Sequence, residues 1–352
     1  MRIDDDIKLD FGDVLIRPKR SSLKSRKDVS LERTFVFKYA GDDWTGVPIM
    51  SANMDTVGTY EVAEVLSRFK MLTALHKHYT NEEYENIFKY SDSGLLNNLF
   101  LSVGTSKEDL DRITPFLNRG PINKIMVDVA NGYSEHFIDS VKQIRDKFPD
   151  HIIAAGNVVT ADVAEALILA GADIVKSGIG NGSVCSTRLQ TGIGYPQLSA
   201  IIECADAVHG LGGHLIGDGG CNLPADFAKG FGGGADFIMS GSYFSGHDEC
   251  GGTIEEDSQG NKYHTYYGMS SSTAQDRHNG GLADYRSSEG RTVKVPYKGP
   301  LELSVRHLLG GLRSTCTYLG ANTIKEIPKR TTFIRVNNTH NRLFEQQTIK
   351  LT

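Results

Sequence analysis

Of the five cysteines in the chain, Cys185 stands in the setting best suited to chemistry. It lies in the run Gly178-Ile-Gly-Asn-Gly-Ser-Val-Cys-Ser-Thr-Arg-Leu-Gln-Thr-Gly-Ile-Gly194, among small polar residues, with the hydroxyl of Thr187 two positions on. Glycines 178, 180 and 182 allow positive φ and let the backbone turn amides or carbonyls toward a ligand. A thiol held in such a loop beside a hydroxyl reads as an activated nucleophile. A small buried hydrophobe is the alternative that the loop alone leaves open. Two further glycine turns, Gly217-Asp218-Gly219-Gly220 and Ser240-Gly241-Ser242, offer backbone N–H groups of the kind that hold a phosphate monoester. Asp218 repels a phosphate but accepts from ribose hydroxyls. Three other polar clusters are Asn53-Met54-Asp55, His76-Lys77-His78 and Asp128-Val129-Ala130-Asn131-Gly132. Lys77 and Asp128 are expected to face each other, as an acid–base pair or as a plain ion pair. His76 and His78 alternate along a strand end, a poor spacing for a metal.

These clusters need a frame. From Val47 onward, short apolar runs alternate with stretches of helical periodicity. Strands are expected at 47–52, 71–75, 99–103, 124–129, 151–155, 173–176, 214–217 and 236–240. Helices are expected at 61–69, 82–90, from Ser106, and at 135–148, 161–170, 197–211 and 224–230. Ser106 with Asp109 suggests a capping box, and Thr160 a helix cap. Eight such units predict an α/β protein, a closed (β/α)8 TIM barrel with right-handed crossovers. All the polar clusters then fall at strand C-termini, where barrels carry their active sites, and the two glycine turns follow strands 7 and 8, the usual phosphate position. Residues 1–46 read as a polar N-terminal extension with basic patches at 17–20 and 24–27. Residues 242–300 read as a Gly- and Ser-rich segment too long for an ordinary connection, a functional flap or a disordered stretch. One barrel domain is expected over 1–352.

Composition narrows the class. With 39% hydrophobic and 23% charged residues the chain is globular, and a net charge of −5 without a basic block speaks against nucleic acid. Unpaired cysteines without CxxC spacing point away from zinc and disulfides and toward a reducing compartment. The acidic start, Met1-Arg-Ile-Asp-Asp-Asp, is no signal peptide, and no apolar run nears the ~20 residues of a membrane span. A cytoplasmic protein without membrane contact is expected.

Taken together, the motifs are specific. The cysteine loop, Asp218-Gly-Gly-Cys, Tyr267-Gly-Met-Ser-Ser, Tyr285-Arg-Ser-Ser-Glu-Gly and Gly310-Gly-Leu-Arg-Ser-Thr-Cys-Thr-Tyr occur in order. With Phe11-Gly-Asp-Val-Leu-Ile-Arg-Pro, Ser51-Ala-Asn-Met-Asp-Thr-Val-Gly and Asp128-Val-Ala-Asn-Gly-Tyr-Ser, they make the chain resemble the IMP dehydrogenase and GMP reductase family over nearly its whole length, its reductase branch most closely. No room exists between strands 2 and 3 for the regulatory insertion common in the dehydrogenases. The resemblance implies reductive deamination of GMP to IMP and ammonia with NADPH, through a thioimidate on Cys185, with Thr187 and Glu289 delivering a proton to the leaving ammonia. It implies GMP phosphate on Gly219, Gly220, Gly241 and Ser242, ribose on Asp218, and the rest of the nucleotide on Gly268, Met269, Ser270, Arg286, Ser287, Ser288 and Gly290. NADPH would meet Lys77, Asp128, Val129, Ala130, Asn131, Met269, Tyr285, Arg286, Ser314, Thr315, Cys316 and Thr317. Carbonyls of Gly180, Gly182 and Cys185 would hold a monovalent cation such as K+, and a homotetramer is expected. Asn181 stands where the family usually has proline and Ser186 where threonine is common, so a less rigid cysteine loop is expected. Ser240-Gly-Ser-Tyr-Phe-Ser replaces a more apolar, glycine-paired stretch, so phosphate binding is expected to survive with altered packing behind it. The dehydrogenases activate water with an Arg-Tyr pair on a flap. Here the order is Tyr285-Arg286, with no Arg-Tyr pair before it. The rival readings are an IMP dehydrogenase lacking the insertion and a non-catalytic purine-nucleotide-binding barrel. A Schiff-base aldolase would need a lysine such as Lys176.

Overall fold

A computed structural model describes residues 3–281, 283–285 and 287–336. Eight parallel strands close in chain order into a barrel: Ile49–Ser51, Leu72–Leu75, Leu99–Val103, Lys124–Asp128, Ile152–Val158, Ile174–Ser177, His214–Asp218 and Phe237–Ser240. The eighth pairs with the first, Ile238 opposite Ile49. Most strand positions are buried on both faces, because side chains fill the interior and helices cover the outside. The helices are Tyr60–Arg68, Asn81–Tyr90, Lys107–Leu117, Glu135–Lys147, Ala161–Leu169, Gln197–Gly210, Pro224–Gly232 and Leu301–Leu319. Side-chain oxygens of Thr59, Thr80, Ser106 and Ser134 accept the N–H three residues on and so fix where four of them begin.

Two capping expectations are corrected. Asp109 does not return to the Ser106 backbone; its carboxylate accepts from the Gly104 N–H at 3.3 Å and from Arg112 at 3.0 Å. Thr160 occupies the cap position without a side-chain cap bond, and its hydroxyl meets the Tyr133 hydroxyl at 3.0 Å instead.

The N-terminal residues are built into the base of the barrel. Arg33–Phe35 and Trp44–Gly46 form a hairpin, and Phe35 stacks on Phe237 with ring centroids 4.2 Å apart. Two buried aspartates at the strand N-termini anchor this segment: Asp173 accepts from the Tyr39 N–H at 2.8 Å, and Asp236 pairs with Arg33 at 2.8 Å. Val14–Ile16 pairs antiparallel with Phe333–Arg335.

The stretch 242–300 is more regular than its composition suggests. Ile254–Glu256, Lys262–Tyr267 and Thr292–Pro296 form an antiparallel sheet, and Ser272–Asn279 is a helix between the second and third strands. The eighth barrel helix, Leu301–Leu319, follows it. None of the described helices is long and apolar enough to cross a membrane.

Candidate active site

The loop after the sixth strand leaves the barrel at Gly178, with φ +153° and the place of a Cβ only 2.1 Å from the Asp218 carbonyl oxygen, so no side chain fits there. The Cys185 N–H donates to the Gly182 carbonyl at 3.0 Å, and a short helix, Thr187–Thr191, begins directly afterwards. The Cys185 thiol donates to Thr187 Oγ1 at 3.2 Å, and that hydroxyl donates to Glu289 Oε2 at 2.9 Å. Glu289 is brought across 102 positions by a short antiparallel bridge. Ser186 N–H donates to the Glu289 carbonyl at 2.8 Å, and Arg291 N–H to the Val184 carbonyl at 2.9 Å. The Arg291 guanidinium adds two bonds to the Ser183 carbonyl, at 3.0 and 2.7 Å. The result is an unbroken S–H···O–H···O path along which a proton can leave the thiol. Cys185 is half-buried, whereas burial pushes Cys204 and Cys316 up to about 12 and Cys250 to about 11, and holds Cys221 well above the ordinary thiol range.

Below the loop, Lys176 Nζ bridges Asp128 and Asp218, the latter at 3.1 Å. Asn157 Nδ2 also donates to Asp218, at 2.9 Å. Burial alone would lower the lysine's pKa, but the two carboxylates outweigh it and raise the pKa above its usual value. The expected Lys77–Asp128 pair does not form: Asp128 takes Lys176, and Lys77 lies 3.9 Å from Asp109. The alternation along the sixth strand, which turns Lys176 inward, accounts for the difference. Lys176, Asn157 and Tyr266 are site residues that the sequence reading left out or placed in a rejected role.

Two adjoining cavities occupy the barrel mouth. The first, of about 260 Å³, is lined by Cys185, Thr187, Glu289, Asp128, Lys176, Asp218, Gly219, Gly241, Ser242, Gly268, Met269, Ser270 and Gly290, among others. The Gly219 N–H is used by the Met239 carbonyl at 3.2 Å, so it is not free for a phosphate. The amides of Gly220, Gly241 and Ser242 donate to no described residue. Tyr266 approaches Gly241 so closely that a Cβ there would sit 2.4 Å from its hydroxyl oxygen. Ser287 Oγ donates to Gln190 and Ser288 Oγ to the Gly290 carbonyl. Arg286 lies outside the described residues.

The second cavity, of about 660 Å³, shares Asp128, Val129, Ala130, Met269 and Ser270 with the first and adds Lys77, Arg112, His78 and His278. Together the two span the usual range of ligand sites. Neither is lined by Asn131, whose side chain caps Tyr133 N–H, nor by the largely exposed Tyr285. Ser314, Thr315, Cys316 and Thr317 are not brought to the mouth. They lie on Leu301–Leu319, which packs on the outside of the barrel, and their hydroxyls bond carbonyls of their own helix. His78 stacks on His278 with centroids 3.6 Å apart, and His76 on Tyr79 at 4.2 Å. Among the described residues no cluster of His, Cys, Asp and Glu suits a metal ion. Of the three carbonyls considered for a monovalent cation, Gly182 accepts the Cys185 N–H, while those of Gly180 and Cys185 accept from no described residue.

Asn181, where the family usually has proline, is held in the loop by side-chain hydrogen bonds. Asn181 Nδ2 donates to Gln197 Oε1, Arg188 donates to Asn181 Oδ1, and Arg188 also reaches the Tyr195 carbonyl at 2.7 Å and Asp10 at 3.3 Å. Behind the eighth strand, Tyr243 and Phe244 are buried, and Tyr243 packs edge-on against Phe227.

With this geometry in view, comparison with known proteins is informative. Residues 8–346 match the model of a family described as IMP dehydrogenase / GMP reductase domain. Proteins named GMP reductase from Enterobacter sp. (strain 638), Salmonella paratyphi C (strain RKS4594) and Yersinia pestis (strain Pestoides F) are each 57% identical to the chain over 345 residues, covering 98% of it and 99% of each relative.

Proposed function

This chain belongs to the IMP dehydrogenase/GMP reductase family, and on that premise we propose that it is an oxidoreductase converting GMP to IMP and ammonia, with NADPH as hydride donor. The observation that carries the reading is the hydrogen-bonded path from Cys185 through Thr187 to Glu289, set in a cavity whose rim holds free amides and whose floor holds Asp218.

In this reading Cys185 Sγ adds to purine C2, an electrophilic carbon between two nitrogens. The thiol proton passes through Thr187, with Glu289 holding the hydroxyl in line, to the 2-amino group. The C2–N bond breaks, ammonia leaves, and the nucleotide remains on Cys185 as a thioimidate. Dividing the substitution into two steps lowers each barrel-mouth barrier separately. A bound reduced nicotinamide would supply hydride to C2. The C2–S bond would then break and Cys185 would depart as a thiolate, which is reprotonated from solvent through Thr187. The Gly241 and Ser242 amides with the Tyr266 hydroxyl in the first cavity, joined by the adjacent Gly220 amide, suit the phosphate, and Asp218 suits the ribose. Lys77 and Arg112, which share Asp109 as an ion-pair partner, are the cations that would meet a dinucleotide phosphate in the second cavity, and Asp128 to Ala130 with Met269 would line the nicotinamide end. The open carbonyls of Gly180 and Cys185, with Gly182, would hold K+. Ser314 to Thr317 would meet a cofactor only from a neighbouring subunit, and the homotetramer rests on the family resemblance. Five free thiols suit the cytoplasm.

The test is direct. Protein incubated with GMP and NADPH should yield IMP and ammonia in equal amounts. With IMP and NAD+ or NADP+, and no ammonia, it should yield no XMP, because Tyr285-Arg286 offers no water-activating Arg-Tyr pair. Sustained XMP formation at a comparable rate would make it a dehydrogenase.

A further inference from the structure

Lys176 is only 3% exposed, yet the mechanism above gives it no task. A charge this deep persists only when paired, and here it has two partners, Asp128 at the end of the fourth strand and Asp218 at the end of the seventh. The pairing excludes the neutral amine that Schiff-base or general-base chemistry requires. Each carboxylate gives the ammonium one oxygen only. Asp218 uses Oδ2, which Asn157 also meets, and Asp128 uses Oδ1; Asp218 Oδ1 and Asp128 Oδ2 accept no hydrogen bond from any described residue. Asp218 and Asp128 both line the cavity beside Cys185, and Asp128 also lines the adjoining one. A single ammonium thus ties two carboxylates together and leaves one oxygen of each for a ligand.

We propose that Lys176 is a positioning residue that couples nucleotide binding at Asp218 to dinucleotide binding at Asp128. This rests on the assignment of Asp218 to GMP ribose and Asp128 to the cofactor side. Whichever ligand arrives first orders the carboxylate–ammonium–carboxylate bridge, so the second meets a partner already fixed and loses less freedom in binding it. The coupling is positive and, by linkage, reciprocal.

The experiment uses the Cys185→Ala protein, in which no adduct forms, and measures NADPH affinity by titration with and without saturating GMP. GMP should tighten NADPH binding by about fivefold or more, the lower end of ordinary coupling. Adding Lys176→Met, which keeps the chain's bulk and removes the charge, should bring that ratio to about one while the thermal melt shows a folded protein. If the methionine variant does not fold, Asp128→Asn in the same background carries the same expectation, since it weakens one leg of the bridge and leaves Asp218 in place. A ratio near one in the parent, or an unchanged ratio in a folded variant, overturns the proposal. Failure of the parent to bind GMP or NADPH at all would instead contradict the functional reading on which it rests.

Discussion

What separates Cys185 from the other four thiols is a hydrogen-bond partner that passes a proton onward, joined by greater access than the buried Cys204, Cys221 and Cys316 have. Its S–H donates to Thr187, whereas burial keeps Cys204, Cys221, Cys250 and Cys316 protonated. Iodoacetamide at neutral pH should therefore alkylate Cys185 at least about tenfold faster than any other cysteine, read by peptide mass spectrometry. Equal labelling of Cys250 would count against this. Glu289 acts on the leaving ammonia, so Glu289→Gln should slow ammonia release by roughly 10²-fold or more, a general-acid magnitude, and slow hydride exchange between IMP and NADP+ much less. Equal losses in the two half-reactions would contradict that division. Cys185 and Thr187 were legible in the sequence because they sit two positions apart in a glycine-rich loop. Glu289 was not legible from spacing, since a bridge between distant strands brings it in, and only the family resemblance pointed to it. Lys77 and Asp128 were misjudged as a pair, because choosing between two lysines needs the side-chain direction of Lys176, which the wholly buried strand Ile174–Ser177 does not reveal.

At the scale of elements, the site depends on how the return strand of the flap is tied to the cysteine loop. Arg291 makes two guanidinium bonds to the Ser183 carbonyl beside the backbone bridge. Arg291→Ala should lower kcat about threefold to tenfold, the worth of an exposed charged hydrogen bond, with little change in melting temperature. A large drop in stability with unchanged kcat would show that the contact holds the fold and does not tune the site. The eight barrel strands were readable from composition, since each is a short apolar run between helical patterns. The sheet at 254–267 and 292–296 was not, because Ile254–Glu256 is exposed along its length and Thr292–Pro296 is only partly buried on one face, leaving little hydrophobic pattern to read. The N-terminal segment looked like a polar appendage for a related reason. Its buried anchors, among them Phe11, Phe35, Phe37 and Trp44, are scattered through a polar sequence, and Tyr39 and Arg33 depend on the buried Asp173 and Asp236 supplied by distant strands.

For the whole molecule, the histidines set the acid limit of stability. Burial lowers His76, His78 and His247 to about 4, from an unfolded value near 6.5. Between those values the unfolded chain binds more protons than the native one, so stability is present above the unfolded value and declines as pH falls through that window. His209 works the other way, because its hydrogen bond to Asp236 raises it; its contribution is full below the unfolded value and fades as pH rises through the raised one. Burial also lowers His151 and His264, so with five described histidines against one the melting temperature should fall as pH is lowered from about 7 to about 4.5, and His247→Asn should flatten the slope. A melting temperature that rises toward pH 5 would contradict this balance.

The central claim is that turnover passes through a bond to Cys185. The measurement that tests it most directly is the rate of GMP-dependent loss of reduced-nicotinamide absorbance in the native protein and in Cys185→Ala. The native protein should consume NADPH only when GMP is present. The variant should be slower by roughly 10³-fold or more, as removal of a covalent nucleophile requires, while still binding GMP through the untouched amides of Gly220, Gly241 and Ser242. Turnover in Cys185→Ala within about tenfold of the native rate would contradict the covalent route.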